Sequence, residues 1–252
     1  SNKEISLLLD KFCETSLSKV IDKALKDIFS YTNVYQKKLS FKREVIADSG
    51  IWLAKKRYAL NVYDSEGIVY EKPKLKVQGM EIVRSSTPAS VRSTLKESVN
   101  IVLTKDEETL CNYVKDIEDK WHKLPPVDIA FPRTANNVTQ YKDSGSIYRK
   151  GTPIHVKGAL MYNHLLNTKN LNQKYEEIRD SDKIKFVYLK KHNPIGINVI
   201  TFRSEIPPEF RLDEFVDYEM MFSKAFLEPL QSLLNVVGWN IKEQATLEGL
   251  FG

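Results

Sequence analysis

Apolar positions recur at helical spacing near the start of the chain. Ile5, Leu8, Leu9, Phe12, Val20, Ile21, Ala24, Leu25 and Ile28 form one stripe over residues 4 to 30, interrupted near residues 16–18. Between residues 38 and 69 the period shortens to two and the reading changes to strands. LSFKREVIA runs into the turn-former Asp48-Ser49-Gly50, and IWLAKKRYALNVYDSEGIVY carries a second turn signal over residues 64–67. The pattern predicts an antiparallel meander. Lys55, Lys56 and Arg57 then fall inside a strand, flanked by Trp52, Leu53, Tyr58, Leu60 and Val62. Three consecutive cations in mid-strand put charge on both faces, so one face must meet solvent or an anion.

Lys72, Lys74 and Lys76 alternate along the next short strand, which places their ammonium groups on one face. Thr87 reads as the N-cap, and Pro88 as the first residue, of a helix carrying Val91, Leu95, Val99 and Val102. Thr104 and Glu107 have capping-box spacing ahead of Leu110, Val114, Ile117 and Trp121. Residues 127–153 lack a clear period and read as loops and short strands. A helix is expected over 156–166, and a hairpin over 182–202 with Pro194 and Gly196 near its tip. The stripe over 212–237 reads as a long helix kinked at Pro229 and capped by Gly238. The fold class is therefore α+β: a helix and an antiparallel β-meander, a boundary near residues 83–87, and a mostly helical remainder with a β-hairpin.

Composition changes this picture little. With 252 residues, 42% apolar and 28% charged, the chain can bury a core as one large domain or two small ones, and disorder is excluded. Lys and Arg outnumber Asp and Glu by 38 to 33, an excess that matters only where the cations cluster. They do cluster. From Lys72 to Lys96 lie Lys74, Lys76, Arg84 and Arg92, with Glu81 the one acid among them. Such a track suits a phosphate backbone, although lysines protecting an edge strand would account for Lys72, Lys74 and Lys76 equally well.

Cys13 and Cys111 form no disulfide framework, which points to a reducing cytoplasm, and no apolar run or leader marks a membrane or secreted protein. His122, His155, His164 and His192 lack metal-ligand spacing. No P-loop, G-x-S-x-G or G-x-G-x-x-G occurs, so the chain alone does not read as a complete enzyme.

KKRYALNVYDSEG, followed by PKLKVQGMEIVRSSTP, resembles the palm-to-thumb junction of family B DNA polymerases, and the SSTP continuation narrows the resemblance to those of T-even-type bacteriophages. TPIHVKGALMYN, DSDKIKFVYLK and VDYEMMFSKAFLEPLQSLLNVVGW follow in the family's order. The resemblance implies the C-terminal part of the palm domain over 1–84, a thumb domain over 85–238 and a clamp-binding tail over 239–252. The family's D-x-x-S-L-Y-P-S, Y-G-D-T-D-S and K-x-x-x-N-S-x-Y-G motifs lie upstream of the region matched, and none occurs here. Mg²⁺ serves the complete polymerase through those aspartates. This fragment is expected to bind no cofactor and to be inactive alone. Ser1-Asn2 resembles the remnant of an expression tag, which favours an excised piece over half of a naturally split enzyme.

The same resemblance assigns roles. Lys55, Lys56, Arg57 and Tyr58 would form a floor under the primer end, where a lysine meets minor-groove acceptors present in every correct base pair. Tyr58, on the face of Lys56, would support the primer terminus. Lys74 and Lys76 join the duplex-binding set. Arg84, Ser85 and Ser86 would seat a phosphate before the first thumb helix, with Lys157 of HVKG in a similar role. Glu44 matches an acidic position of the phage group and is read as structural. Gln244, Leu247, Leu250 and Phe251 spell Q-x-x-L-x-x-L-F, which resembles the peptide that replication enzymes insert into sliding clamps. The expected partners are double-stranded primer–template DNA, the remaining polymerase domains and a sliding clamp, with no membrane, in the cytoplasm of an infected bacterial host. The alternative is a stand-alone duplex-binding or clamp-interaction module without a polymerase partner.

Overall fold

The computed structural model describes residues 2–32, 39 and 41–241. The chain divides into two compact units, Ser1–Gln78 and Gly79–Gly252. The tail residues Gln244, Leu247, Leu250 and Phe251 lie outside the described residues.

The first unit opens with α1 (Asn2–Phe12) and α2 (Ser18–Tyr31), joined by a π turn, Cys13–Leu17. The break expected near residues 16–18 is this turn. The Ser18 hydroxyl donates to the Cys13 carbonyl at 2.9 Å. The apolar stripe is present but largely uncovered: Ile5, Leu8, Leu9, Phe12, Val20 and Ile28 are 53% to 67% exposed. Leu25 is the buried residue of α2.

Strands β1 (Val45–Ala54), β2 (Arg57–Ser65) and β3 (Ile68–Gln78) form an antiparallel sheet in that order. The meander is as expected, but its first turn is elsewhere. Asp48-Ser49-Gly50 lies inside β1, and the chain reverses at Lys55-Lys56, with Lys56 in the left-handed region at φ 62°. Local chemistry explains the difference. The Asp48 carboxylate accepts from the Asn61 amide at 2.9 Å and the Ser49 hydroxyl at 3.1 Å, so it is engaged across the strand pair. Gly50 has no positive φ and stands opposite Leu60, where an added Cβ would come within 2.6 Å of Leu60 Cδ2. It serves packing, not reversal.

The second turn falls where the sequence placed it. Glu66 and Gly67 both take positive φ, 53° and 89°, the combination a type I′ hairpin requires. The Asp64 carboxylate accepts from the Gly67 N–H at 2.9 Å and from Arg43 at 2.6 Å, and Arg43 also pairs with Asp10 of α1. Its hydrogen bond with Arg43 holds the Asp64 carboxyl below its ordinary range. One guanidinium thus ties α1 to the end of β2.

The second unit runs through α3 (Ala89–Thr104), α4 (Glu107–Trp121), the short α5 (Pro126–Ile129), β4 (Phe131–Thr134) and α6 (Val138–Tyr141). It continues through α7 (Ile154–Thr168), β5 (Lys183–Tyr188), β6 (Val199–Phe202), α8 (Tyr218–Phe222) and α9 (Glu228–Val237). β4, β5 and β6 form a second antiparallel sheet, and the β5–β6 hairpin contains Gly196 at φ 68°, as expected. Leu95, Leu110, Leu166, Ile200, Phe202 and Phe226 are among its fully buried side chains.

Helix ends depart from the sequence reading in three places. Helix α3 begins at Ala89, and the Thr87 hydroxyl donates back to the Glu81 carbonyl at 2.9 Å instead of capping it. The N-cap of α4 is Asp106, whose carboxylate accepts from the Thr109 N–H at 2.9 Å, while the Thr104 hydroxyl donates to the Asn100 carbonyl within α3. The last helical run starts at Tyr218, capped by Asp217, and not at residue 212. A π turn, Ser223–Leu227, then precedes Pro229, whose missing N–H the helical ladder cannot use. Gly238 caps α9 at φ 74°, its N–H donating to the Leu234 carbonyl at 2.9 Å.

Helix α7 lies directly on β6 at Gly158. A Cβ there would meet the Thr201 hydroxyl at 2.3 Å, the Thr201 nitrogen at 2.8 Å and the Ile200 carbonyl carbon at 3.1 Å. Two of these atoms are strand backbone and cannot step aside. Gly158→Ala is expected to destabilise the protein by about 2 kcal/mol, the usual scale for forcing a methyl into a packed interior. Chemical denaturation measures it, and an unchanged midpoint would show that α7 is free to lift.

Candidate nucleic-acid interface

In the first unit, register decides which side chains share a face. Trp52 stands opposite Tyr58, and Tyr58 opposite Gln78, so one row crosses all three strands. The Tyr58 hydroxyl donates to Gln78 Oε1 at 2.6 Å. The adjacent row on that face is Gly50, Leu60 and Lys76, and Val62 with Lys74 follows. Lys74 Nζ lies 4.2 Å from the centre of the Tyr70 ring, and Lys76 pairs with Glu44 at 2.5 Å, which raises the lysine's pKa. Glu44 therefore holds a lysine, in keeping with a structural role. β3 is an edge strand, and Pro73 sits in the stretch between the pairs Asp64–Val69 and Val62–Lys74, where no ladder N–H is needed.

The KKRY stretch is arranged differently from its strand reading. Lys55 and Lys56 are turn residues, both exposed, so strand alternation does not place Lys56 on the face of Tyr58. Arg57 starts β2 and alternates to the face opposite Tyr58. The problem of three charges in mid-strand disappears: two are at the hairpin tip. Among the described residues no carboxylate pairs with Lys55 or Lys56. The row nearest that tip contains Trp52, which is 62% exposed. In the sequence pattern Trp52 figures only as one of the apolar neighbours of the three cations, with no role of its own.

In the second unit, Arg84 follows a 3₁₀ turn, Glu81–Val83, and pairs with Glu81 at 2.8 Å. Ser85 is exposed and Ser86 half-buried. Where α3 begins, a cleft of about 350 Å³ is lined by polar Ser85, Thr87, Arg92, Asp128 and Lys185. Lys185 donates to the Val127 carbonyl at 3.1 Å. Arg133 donates to the Ser86 carbonyl at 3.0 Å, and its burial lowers its pKa. Burial, with Arg133 nearby, also keeps the His155 imidazole below its ordinary value. Lys185 and Arg133 come from the second sheet and carried no local signal in the sequence. Lys157 of α7 lies over the Tyr148 ring at 5.5 Å and does not line this cleft. Among the described residues, no group of three or more His, Cys, Asp or Glu side chains is placed to hold a metal ion, and no helix is long and apolar enough to cross a membrane.

No family model matches the chain. Over 97% of its length it is 33% identical to the DNA-directed DNA polymerase of Enterobacteria phage T4, and over 96% it is 32% identical to that of Escherichia phage RB69. The chain is related to phage DNA-directed DNA polymerases. It spans 28% of the length of either relative. The resemblance read from KKRY, SSTP and the later stretches is borne out over nearly the whole chain.

The left-handed turn residue offers a direct check on this geometry. A non-glycine residue at positive φ costs about 1–2 kcal/mol, part of which glycine recovers. Lys56→Gly is expected to leave stability unchanged or to raise it by up to about 1 kcal/mol, and the β-branched Lys56→Val to lower it by about 1 kcal/mol. Thermal unfolding of the pair separates them. The reverse order would place Lys56 in a strand after all.

Proposed function

We propose that this chain is the duplex-gripping portion of a replicative family B DNA polymerase, comprising the last part of the palm and the thumb. The observation that carries the reading is the similarity to DNA-directed DNA polymerases along 97% of the chain. The surface chemistry supports it. Lys55 and Lys56 project from a hairpin tip beside a face carrying Tyr58, Lys74 and Lys76. Cations of this kind hold a duplex by its phosphates and by minor-groove acceptors common to all base pairs, so binding is independent of sequence. Arg84, Ser85 and Ser86, with Lys185 and Arg92 close to Ser85 in the cleft, would seat a backbone phosphate in the second unit. Lys157 lies over the Tyr148 ring and not in this cleft, and is a weaker member of the set.

The remaining polymerase domains are the natural cover for α1 and α2. An apolar stripe left more than half exposed over two helices is unusual for a surface that meets only water. The relatives extend well beyond the 28% matched here. The donors for Mg²⁺ would lie in that remaining portion, which supplies the metal-assisted chemistry. The chain's own residues bind and orient the duplex, and the fragment by itself would be inactive. A polymerase of this kind works on DNA in the cytoplasm of an infected bacterium. Gln244, Leu247, Leu250 and Phe251 would insert into a sliding clamp as a short apolar anchor with one directional hydrogen bond.

Fluorescence anisotropy with labelled primer–template duplex tests the grip. The expected affinity is independent of sequence and falls steeply with salt, and Lys56→Gly flattens the log–log slope by about one unit while preserving the fold. A salt-independent affinity would overturn the reading. The tail is tested in the complete polymerase. Deleting residues 247–252 is expected to abolish clamp-dependent processivity and leave distributive synthesis intact. Unchanged processivity on clamp-loaded templates would remove the tail from the mechanism.

A further inference from the structure

Trp52 is the side chain whose placement the fold itself leaves unexplained. Trp121 is buried at 3% exposure, as a large aromatic in a packed unit should be, whereas Trp52 is 62% exposed on the edge strand β1 beside the hairpin tip. It is nevertheless held. Gly50, two residues earlier on the same face, has an ordinary backbone conformation, so the one property it contributes is the absence of a Cβ. A Cβ there would lie 2.8 Å from Trp52 Cη2, 3.0 Å from Cζ3 and 2.6 Å from Leu60 Cδ2. The indole therefore lies over Gly50 and beside Leu60. A glycine inside a strand weakens it, and here it gives a seat to an exposed ring.

The neighbours of that ring indicate what it meets. Tyr58 and Gln78 continue its row across the sheet, their side chains hydrogen-bonded at 2.6 Å. Lys76 ends the adjacent row, and the Lys55–Lys56 turn follows Trp52 by three residues. A flat apolar ring flanked by a hydrogen-bonding pair and ammonium groups matches a nucleic-acid strand, whose sugars and bases offer apolar faces between phosphates. Such contacts with a duplex tolerate any sequence, because the base faces are stacked inside and every nucleotide presents the same sugar.

We infer that Trp52, seated on Gly50, is a nucleic-acid contact of this chain, packing against the sugar and base edges of the primer–template duplex beside the Lys55–Lys56 turn. This deepens the polymerase reading and rests on it. Gly50 is a positioning residue, and Tyr58 and Gln78 brace the same face.

Intrinsic fluorescence of the full chain reads the contact, since Trp52 is the strongly exposed one of its tryptophans. Duplex DNA is expected to quench the emission and shield it from acrylamide, and the response should vanish in Trp52→Phe. Trp52→Leu, with every cation retained, is expected to weaken duplex affinity about tenfold, the scale of one lost aromatic–nucleotide contact. Trp52→Phe should keep most of the affinity, and Gly50→Ala should lose it by displacing the ring, with circular dichroism checking its fold. Salt-dependent duplex binding by the wild-type chain, with unchanged emission and unchanged affinity in Trp52→Leu, would overturn this inference and leave the polymerase reading standing. No duplex binding by the wild-type chain would count against the polymerase reading itself. Emission that responds to the remaining polymerase portion and not to DNA would make Trp52 a protein contact and also overturn the inference.

Discussion

The reversal at Lys55-Lys56 is the constraint on which the first unit depends. The two-residue connection sets Ala54 opposite Arg57, and a bulge between Trp52 and Ala54 then shifts the register so that Trp52, and not Leu53, meets Tyr58. Sliding the pairing by one residue would turn Ala59, now fully buried, and every other β2 side chain to the opposite face. The turn costs strain at Lys56, where neither glycine nor asparagine eases the positive φ. A hairpin that keeps lysines at such a tip invites a functional reading, because strained backbone persists where something else requires it.

Register also explains what could and could not be seen in the sequence. Helical periodicity was sufficient for α7, for the long final run and for its Gly238 cap, since those patterns are local and extend over several turns. The β5–β6 hairpin was equally plain, with its tip residues between two apolar runs. The first turn of the meander was not. Asp48-Ser49-Gly50 has the composition of a turn, yet each residue has another partner: Asp48 holds Asn61, Ser49 bonds to Asp48, and Gly50 makes room for Trp52 and Leu60. Composition reports which residues permit a turn, while cross-strand packing decides which of them make one. The same competition moved the cap of α4 from Thr104 to Asp106, whose carboxylate is the better acceptor in the better position.

The candidate site divides along the same line. Clustered lysines and arginines are visible as composition, which marked Lys74 and Lys76, while the KKRY resemblance marked Lys55 and Lys56. Trp52, Lys185 and Arg133 were not marked, because their relevance depends on neighbours distant in the chain. Trp52 shares the parity of Tyr58 in the strand pattern, but that the two stand side by side is set by the hairpin register. Lys185 reaches the cleft near Ser85 because β5 pairs with β4, and no spacing within β5 announces it.

The cations are not equivalent, and their present partners rank them. Lys76 holds Glu44 and Arg84 holds Glu81, both near the surface, where such pairs are worth about 0–1 kcal/mol. A phosphate could replace either carboxylate at little cost, but the gain would be small, because one anion is exchanged for another. Lys55 and Lys56 have no carboxylate to give up among the described residues, and each phosphate they meet displaces only mobile counterions. That release is where affinity for a polyanion originates. On the proposed reading, the hairpin tip, with its strained lysine and the indole beside it, is where the first unit would gain most from nucleic acid.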